Sequence, residues 1–217
     1  MAKNVKTVLV LGVARSGTSM TAGMLSILGV ELNEKIGPPK VASQNPKGAF
    51  ENINFGTITS KMHKALAEGK PLRIVKQQYS DRLAEMVTIH EQPLWGFKSA
   101  ASHHILSIIL PVVKNPHLVI VVRSLMHNAQ SWQVHMKDVY GKNVTLQEAL
   151  KNASESQHIL MRNTLVSTCP KLFTSYEGIK QDPWKEAGRM GKFLNIDPEP
   201  KKEEILDFIM PEYTTLK

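Results

Sequence analysis

The stretch TVLVLGVARSGTS, residues 7–19, decides the fold of this chain. Residues 8–11 are four consecutive apolar residues that end at Gly12, a pattern typical of a strand covered on both faces in a parallel α/β sheet. After Ser19 the apolar residues recur with helical spacing up to Gly29, a residue suited to end a helix. The stretch therefore predicts a strand, a glycine-bearing loop and a helix. The N-terminus of such a helix attracts an anionic phosphate.

The predicted loop has the glycine spacing of a P-loop but not its lysine. The nucleotide-triphosphate version reads G-x-x-x-x-G-K-[ST], with the lysine on the outer phosphates and the hydroxyl on magnesium. Gly12 and Gly17 match this spacing, whereas Thr18 stands at the lysine position and Arg15 supplies a cation inside the loop. The pattern predicts a phosphate site that differs from a site for ATP and magnesium. Considered alone, the loop is also compatible with a turn that binds no ligand.

Composition narrows the classes of ligand and fold. A chain of 217 residues is long enough for one α/β domain with a full core, and we interpret residues 1–217 as a single domain. The formal net charge of +8 favours an anionic ligand or partner. Cys169 is the only cysteine, and the eight histidines contain no H-E-x-x-H motif, so we predict no metal site.

Two further features favour a cytoplasmic protein. The first predicted strand begins too early for a signal peptide to precede it. The longest apolar run, residues 105–113, is far shorter than the roughly 20 residues that span a bilayer, so we expect no integral membrane segment.

Aromatic residues make up only 6% of the chain and the lysines form no basic run, which argues against a nucleic-acid partner.

The rest of the chain alternates between strand and helix patterns. Further strands are predicted at 95–98, 117–122 and 172–176, with a possible one at 72–75. Helices are predicted at 54–68, 81–87, 105–113, 125–137, 145–166, 182–194 and 201–209, the fifth of them opened by a capping box of Thr145 and Glu148. Residues 30–47 are rich in turn formers and predict a surface loop. The fold class is α/β, a three-layer α/β/α arrangement around a mainly parallel sheet.

Two predicted strands end in a cation. Ligands of doubly wound sheets bind at the carboxyl ends of strands, which is where Lys98 and Arg123 lie. A Walker-type NTPase commonly has an aspartate for magnesium at the position of Arg123, and arginine there favours a second anion. About two helical turns later, Ser131 returns to the same corner.

Together these segments resemble the PAPS-dependent sulfotransferase family, particularly its bacterial and Golgi-type branches; PAPS is 3′-phosphoadenosine 5′-phosphosulfate. That family has a basic residue before Ser-Gly-Thr in the loop for the 5′-phosphosulfate, which Arg15 and residues 16–19 match. It also has a strand ending in arginine with a serine eight residues later, both holding the 3′-phosphate, which Arg123 and Ser131 match.

Three weaker matches follow the order of the family. NPKGAFE, residues 45–51, is similar to a segment of bacterial members. WGFK, residues 95–98, is similar to the strand that ends in the family's active-site lysine, and SYE, residues 175–177, to the segment near the adenine. The resemblance covers roughly residues 7 to 195.

The resemblance implies a P-loop NTPase-like sulfotransferase fold and a metal-independent, in-line transfer of a sulfuryl group from PAPS. The acceptor would be a hydroxyl or amine of a small molecule, lipid or glycan. The implied catalytic residues are Arg15, Glu51 and Lys98. The implied cofactor-binding residues are Arg15, Ser16, Gly17, Thr18, Ser19, Arg123, Ser131 and Tyr176.

The chain departs from cytosolic members of that family at the catalytic base. Those members place a histidine two residues after the lysine, where this chain has Ala100. Glu51 is the expected base, with His103 or His104 as alternatives. The basic-and-glycine loop that clasps the 3′-phosphate in cytosolic members has only Lys201 and Lys202 as weak counterparts.

Two other functions remain alternatives to a sulfotransferase. A P-loop kinase for a nucleoside or small molecule accounts for the first loop, but not for Thr18 at the lysine position or for Arg123. A non-catalytic nucleotide-binding module would keep the fold and bind the cofactor without transfer. The sequence leaves the acceptor and the oligomeric state open.

Overall fold

The computed structural model describes residues 5–32 and 47–209. Four parallel strands form a sheet in the order β2–β1–β3–β4. The strands are β1 (Lys6–Gly12), β2 (Leu94–Lys98), β3 (Pro116–Val122) and β4 (Lys171–Ser175). Each lies where the sequence predicts one.

Helices of the described residues connect the strands and cover the sheet. They are α1 (Thr18–Ile27), α2 (Ile53–Ala67), α3 (Leu72–His90), α4 (Leu106–Ile109), α5 (Leu125–Tyr140), α6 (Leu146–Leu165), α7 (Tyr176–Gln181), α8 (Pro183–Leu194) and α9 (Lys202–Ile209). Short 3₁₀ turns cover Ser102–His104 and Glu199–Lys201. The predicted capping box of Thr145 and Glu148 is confirmed at the start of α6. None of the helices in the described part of the chain is long and apolar enough to span a bilayer.

Alternate residues of β1 face two separate hydrophobic clusters. Leu9 and Leu11 pack in the cluster that includes residues of α2, α3 and α6, whereas Val8 and Val10 pack with residues of α1, α8 and α9. All four side chains are fully buried, as expected for a parallel strand covered by helices on both faces. The predicted three-layer α/β/α architecture is confirmed.

The strand order brings the functional loops together. From β1 the chain passes to β2 on one side and then crosses to β3 on the other, so the order reverses around β1. In the register of the sheet Gly12 is paired with Val121, and the loops after β1 and β3 therefore leave neighbouring strands at the same edge. Open α/β sheets bind ligands in the crevice at such a point.

Two of the predicted elements differ from the structure. The possible strand at 72–75 is wrong, because these residues form the first turn of α3, directly after Pro71. Only Val75 of this turn is fully buried, while Leu72 and Ile74 are exposed, as one face of a helix requires. The helix predicted at 105–113 is limited to α4, because Pro111 lacks the N–H that would continue it.

Candidate functional site

The loop between β1 and α1 is compact and closely packed. Arg15 and Gly17 both have positive φ angles, of 68° and 95°. A Cβ atom on Gly17 would lie 2.7 Å from Cδ2 of Tyr176, so both the backbone angle and the close contact require glycine. A Cβ atom on Gly12 would lie 2.6 Å from Oγ of Ser16. The two glycines let the loop fold tightly over the end of the sheet.

Arg123 and Ser131, the two predicted phosphate ligands that follow β3, both contact this loop. Nη1 of Arg123 donates a hydrogen bond to the carbonyl oxygen of Arg15 at 2.9 Å. Nε of Arg15 donates to Oγ of Ser131, on α5, at 3.2 Å. The structure thus brings together the two groups of residues that the family resemblance assigns to two different phosphates.

The site holds two neighbouring guanidinium groups. Within residues 5–32 and 47–209, neither Arg15 nor Arg123 forms an ion pair with a carboxylate. Burial, followed by the charge of Arg123, lowers the pKa of Arg15, and Tyr176 opposes this shift. Because arginine stays protonated at neutral pH, both charges persist, and their mutual repulsion would be relieved by a bound anion.

Tyr176 joins the two halves of this pocket. Its ring lies against Gly17, and Cζ of Arg123 lies 4.2 Å from the ring centroid, within range of a cation–π interaction. The next residue, Glu177, accepts a hydrogen bond from the backbone N–H of Ser124 at 3.1 Å. The start of α7 therefore supports the segment that carries Arg123.

Lys98 lies at the end of β2 with its ammonium group buried among oxygen atoms. Its Nζ lies 2.9 Å from Oε1 of Glu51 and donates to the carbonyl oxygen of Ala49 at 2.7 Å and to Oγ of Ser19 at 3.0 Å. Burial lowers the pKa of Lys98, the Glu51 carboxylate opposes this shift, and the Arg15 charge adds to it. The Lys98 side chain is 5% exposed and that of Glu51 is 37% exposed, so the carboxylate is the solvent-facing member of the pair.

Two buried polar atoms next to the loop have no hydrogen-bond partner among the described residues. They are Oγ of Ser16 and Nε of Arg123. Both residues line a small cavity together with Asn128 and Gln157. Buried polar atoms are nearly always hydrogen-bonded, so these two donors suit a site that a polar ligand or water completes.

The histidines considered as alternative bases lie in a different cluster. His103 and His104 pack ring on ring, with centroids 4.1 Å apart, and His104 stacks on His63 of α2 at 3.9 Å. Burial, with a smaller contribution from neighbouring imidazoles, lowers the pKa of His103 to about 3 and that of His104 to about 4. In the described part of the chain, no hydrogen bond joins either imidazole to Lys98.

Sequence reasoning missed two residues of the site, Asn128 and Ala49, and gave no role to Glu177 of the SYE match. Nδ2 of the buried Asn128 donates to the carbonyl oxygen of Ala14 at 2.9 Å and so holds the loop from α5. The carbonyl oxygen of Ala49 and the carboxylate of Glu177 also bind site residues. A polar residue on the inner face of a predicted helix is the only sequence signal for Asn128, and a backbone carbonyl leaves none.

The other residues predicted for the site lie in α1 or, in two cases, outside the described part of the chain. Thr18 and Ser19 open α1, so their backbone N–H groups lie in its first turn. Asn45 and Pro46 of the NPKGAFE match lie outside the described residues. Among the residues described, no group of three or more histidine, cysteine, aspartate or glutamate side chains is placed to hold a metal ion.

Comparison with known proteins identifies the family of this chain. A family model described as the sulfotransferase domain matches residues 6–213. The chain belongs to the sulfotransferase-domain family. This membership supports the predicted resemblance and indicates a transferase of sulfuryl groups. No curated protein matches this sulfotransferase-domain chain.

A solved structure supports the fold. The sulfotransferase domain from the curacin biosynthetic pathway is similar to this sulfotransferase-domain protein, with a TM-score of 0.60. The match covers 98% of this chain and 81% of that chain at 16% sequence identity. At this identity the likeness shows a shared fold.

Proposed function

We propose that this protein is a sulfotransferase that moves a sulfuryl group from PAPS to a hydroxyl or amine of an acceptor. The observation that carries the proposal is the pair of guanidinium groups, Arg15 and Arg123, which have no carboxylate partner among the described residues. Arg123 also binds the backbone of Arg15. Two linked cations at the switch point of a parallel sheet suit a donor that carries two separate phosphate groups.

The residues present fit such a donor. The N–H groups of residues 16–19 and the side chain of Arg15 would hold the 5′-phosphosulfate at the N-terminus of α1. Arg123 and Ser131 would hold the 3′-phosphate, with Tyr176 near the adenine. The unpartnered Oγ of Ser16 and Nε of Arg123 are two further donors for this purpose. When bound, PAPS would supply an activated sulfuryl group on a phosphate leaving group.

Lys98 and Glu51 would serve the transfer itself. Lys98 is a fixed, buried cation on Oγ of Ser19, next to the N-terminus of α1. Together with Arg15 it would stabilise the negative charge that develops on the sulfuryl oxygens, and such preorganised electrostatic stabilisation is usually the largest contribution to catalysis. The Glu51 carboxylate is half exposed and would accept the proton of the acceptor. Fixed cations would do the work that a metal does in kinases.

The proposal extends to domain organisation and acceptor class. A sheet whose two faces are each covered by one cluster supports a single domain. The acceptor would be a small molecule, a lipid or a glycan, and Glu51 sets the side from which it approaches.

Calorimetric titration with 3′,5′-adenosine bisphosphate, the desulfated product, tests the proposal. The titration is made in EDTA, with ATP plus magnesium in parallel. Micromolar binding of the bisphosphate that Arg123→Ala weakens would support the donor site. Magnesium-dependent binding of ATP without binding of the bisphosphate would favour a kinase and overturn the proposal. Bisphosphate binding without transfer to any acceptor would favour a non-catalytic module.

A further inference from the structure

The segment that carries Glu51 has an unusual backbone. We call residues 47–52 the Glu51 segment. Gly48 and Phe50 have positive φ angles, of 104° and 52°. Between and after them, the carbonyl oxygen of Ala49 and the carboxylate of Glu51 both bind Nζ of Lys98. A positive φ at a bulky residue costs on the order of 1–3 kcal/mol and persists only where surrounding contacts hold it.

The first of these contacts ties the Glu51 segment to the C-terminus of α9. Nζ of Lys47 donates to the carbonyl oxygens of Asp207 and Phe208, at 3.1 and 2.5 Å. Carbonyls in the last turn of a helix have no intrahelical partner and carry a partial negative charge, so a lysine ammonium is well placed there. The start of the segment is thereby fixed 4 residues before Glu51.

The second contact is aromatic. Phe50 packs edge-on against Phe208, with ring centroids 5.9 Å apart. Phe208 also lies against Gly23 of α1, where a Cβ atom would come within 2.1 Å of its ring. Phe208 therefore contacts both α1, whose N-terminus belongs to the phosphate site, and the residue with the strained backbone.

We propose that α9 positions the Glu51 segment on Lys98, and that Lys47 and Phe208 are the positioning residues. Neither contacts a reacting group. Lys47 holds the entry of the segment, Phe208 holds Phe50, and the two together place both the Ala49 carbonyl and the Glu51 carboxylate on the ammonium group. The catalytic meaning of this arrangement rests on the function proposed above for Glu51 and Lys98, but the arrangement itself is measurable without any donor or acceptor.

The chemical reactivity of Lys98 reports on this arrangement. Its amine reacts with acetic anhydride only when neutral, and the Glu51 carboxylate favours the charged form. A displaced Glu51 segment would remove that carboxylate and the covering Ala49 carbonyl, so Lys98 would react faster. Acetylation of Lys98 at pH 8, quantified by peptide mass spectrometry, is the measurement.

The decisive variant is Lys47→Met, which keeps the apolar stem beside Phe208 and removes the ammonium group. We expect it to raise the acetylation rate of Lys98 about threefold to tenfold, which corresponds to half to one unit of pKa. Glu51→Gln should give a similar rise, and the double variant should give no more than either alone. Lys47→Arg should restore the wild-type rate. Lys151→Ala removes an exposed lysine of α6, away from α9, and should change nothing.

Two results would overturn the proposal. One is a wild-type acetylation rate in Lys47→Met while Glu51→Gln is accelerated; the other is full additivity in the double variant. Phe208→Leu keeps apolar volume next to Gly23 while losing the aromatic edge, and a folded Phe208→Leu with unchanged Lys98 reactivity would remove Phe208 from the proposal.

Titration of the same variants with 3′,5′-adenosine bisphosphate separates this inference from the proposed function. We expect Lys47→Met to bind the bisphosphate as wild type does, because the ammonium group of Lys47 binds carbonyl oxygens at the end of α9. Absence of bisphosphate binding in the wild type would defeat the proposed donor while leaving the acetylation result to decide the positioning role.

Discussion

Nε of Arg15 donates a hydrogen bond to Oγ of Ser131, 116 residues further along the chain. The backbone carbonyl of the same Arg15 accepts from Arg123. The loop proposed for the 5′-phosphosulfate and the residues proposed for the 3′-phosphate are therefore in direct contact. A substitution in one of these elements should therefore also alter how the other binds the donor. The first two predictions follow from this contact.

Arg123→Ala should weaken binding of 3′,5′-adenosine bisphosphate by about tenfold to a hundredfold, the effect of losing a charged hydrogen bond of roughly 1.5–3 kcal/mol. The variant also removes the cation above Tyr176 and the donor to the Arg15 carbonyl. Calorimetry in EDTA is the measurement, with Lys151→Ala, an exposed lysine of α6, as the control for net charge. Equal affinity in Arg123→Ala and wild type would refute the assignment of Arg123.

Ser131→Ala should have a smaller effect. It removes the oxygen that accepts from Nε of Arg15 and a proposed ligand of the 3′-phosphate. We expect a loss of about 1 to 2 kcal/mol in bisphosphate binding, or about fivefold to thirtyfold in Kd. The matched control is Ser154→Ala on the exposed side of α6. A loss as small as that of the control would mean that Ser131 does not bind the donor.

Glu51→Gln should separate chemistry from binding. The amide cannot accept the acceptor's proton, so transfer should fall by about 10² to 10⁴ while bisphosphate affinity stays within about twofold of wild type. Transfer is measured with labelled PAPS and an acceptor found by screening hydroxyl and amine compounds. Arg15→Ala should abolish transfer in the same assay.

The control for Glu51→Gln is Glu155→Gln, an exposed carboxylate of α6, which should transfer at the wild-type rate. His103→Asn serves as the competing variant. If Glu51→Gln were fully active and His103→Asn inactive, the base would have to be sought among the histidines.

Gly17→Ala should destabilise the protein and block the phosphate loop. A side chain at this position meets both a φ of 95° and a contact of 2.7 Å with Tyr176. We expect a loss of at least about 1 kcal/mol in the free energy of unfolding, measured by urea denaturation, together with loss of bisphosphate binding. Gly56→Ala is the matched control, because Gly56 lies inside α2 and a Cβ atom there would have nothing within 4 Å, so this variant should be slightly more stable than wild type. Two variants of equal stability would contradict the packing described for the loop.

Acid should destabilise the protein through the histidine cluster. His103 and His104 have pKa values lowered to about 3 and about 4, against about 6.5 in the unfolded chain. Below pH 6.5 the unfolded state therefore binds more protons than the folded state. The free energy of unfolding is highest above pH 6.5 and decreases as the pH falls toward 4. The urea midpoint should be constant from pH 7 to 8 and decline steadily from pH 6.5 to 4.5.

His104→Phe tests the origin of this decline. Phenylalanine keeps a ring to stack on His63 but cannot bind a proton, so the loss of stability below pH 6.5 should become smaller. His158→Phe, at an exposed position of α6, should leave the decline unchanged. An unaltered pH profile in His104→Phe would assign the acid sensitivity to other groups.

Local sequence signals predicted most of the fold. The apolar run before Gly12 and the capping box of Thr145 and Glu148 each depend on neighbours within a few residues, and each marks an element that the structure contains. The possible strand at 72–75 was also predicted from a short local pattern and was wrong, because four apolar and charged residues fit one turn of a helix as well as a short strand. The helix and the strand are distinguished only by tertiary packing, which buries Val75 and leaves Leu72 and Ile74 exposed.

The candidate site divides in a similar way. The chemical types and their order along the chain came from sequence: a cation in the first loop, a lysine ending one strand and an arginine ending another. The contacts that each of these residues makes did not come from sequence. The Ala49 carbonyl on Lys98 has no side-chain signal, and the exclusion of His103 from the Lys98 contacts depends on where the 3₁₀ turn places its ring.

The sequence alone therefore determined a parallel α/β fold and the cationic residues at the ends of its strands, because both follow from short-range patterns of polarity and turn formation. Tertiary structure decided that Arg15 contacts Ser131, that Glu51 contacts Lys98 and that Phe208 contacts both Gly23 and Phe50. These contacts depend on the order and register of the strands and on helix packing across the sheet. Such relationships join residues far apart in the chain, and no local pattern encodes them.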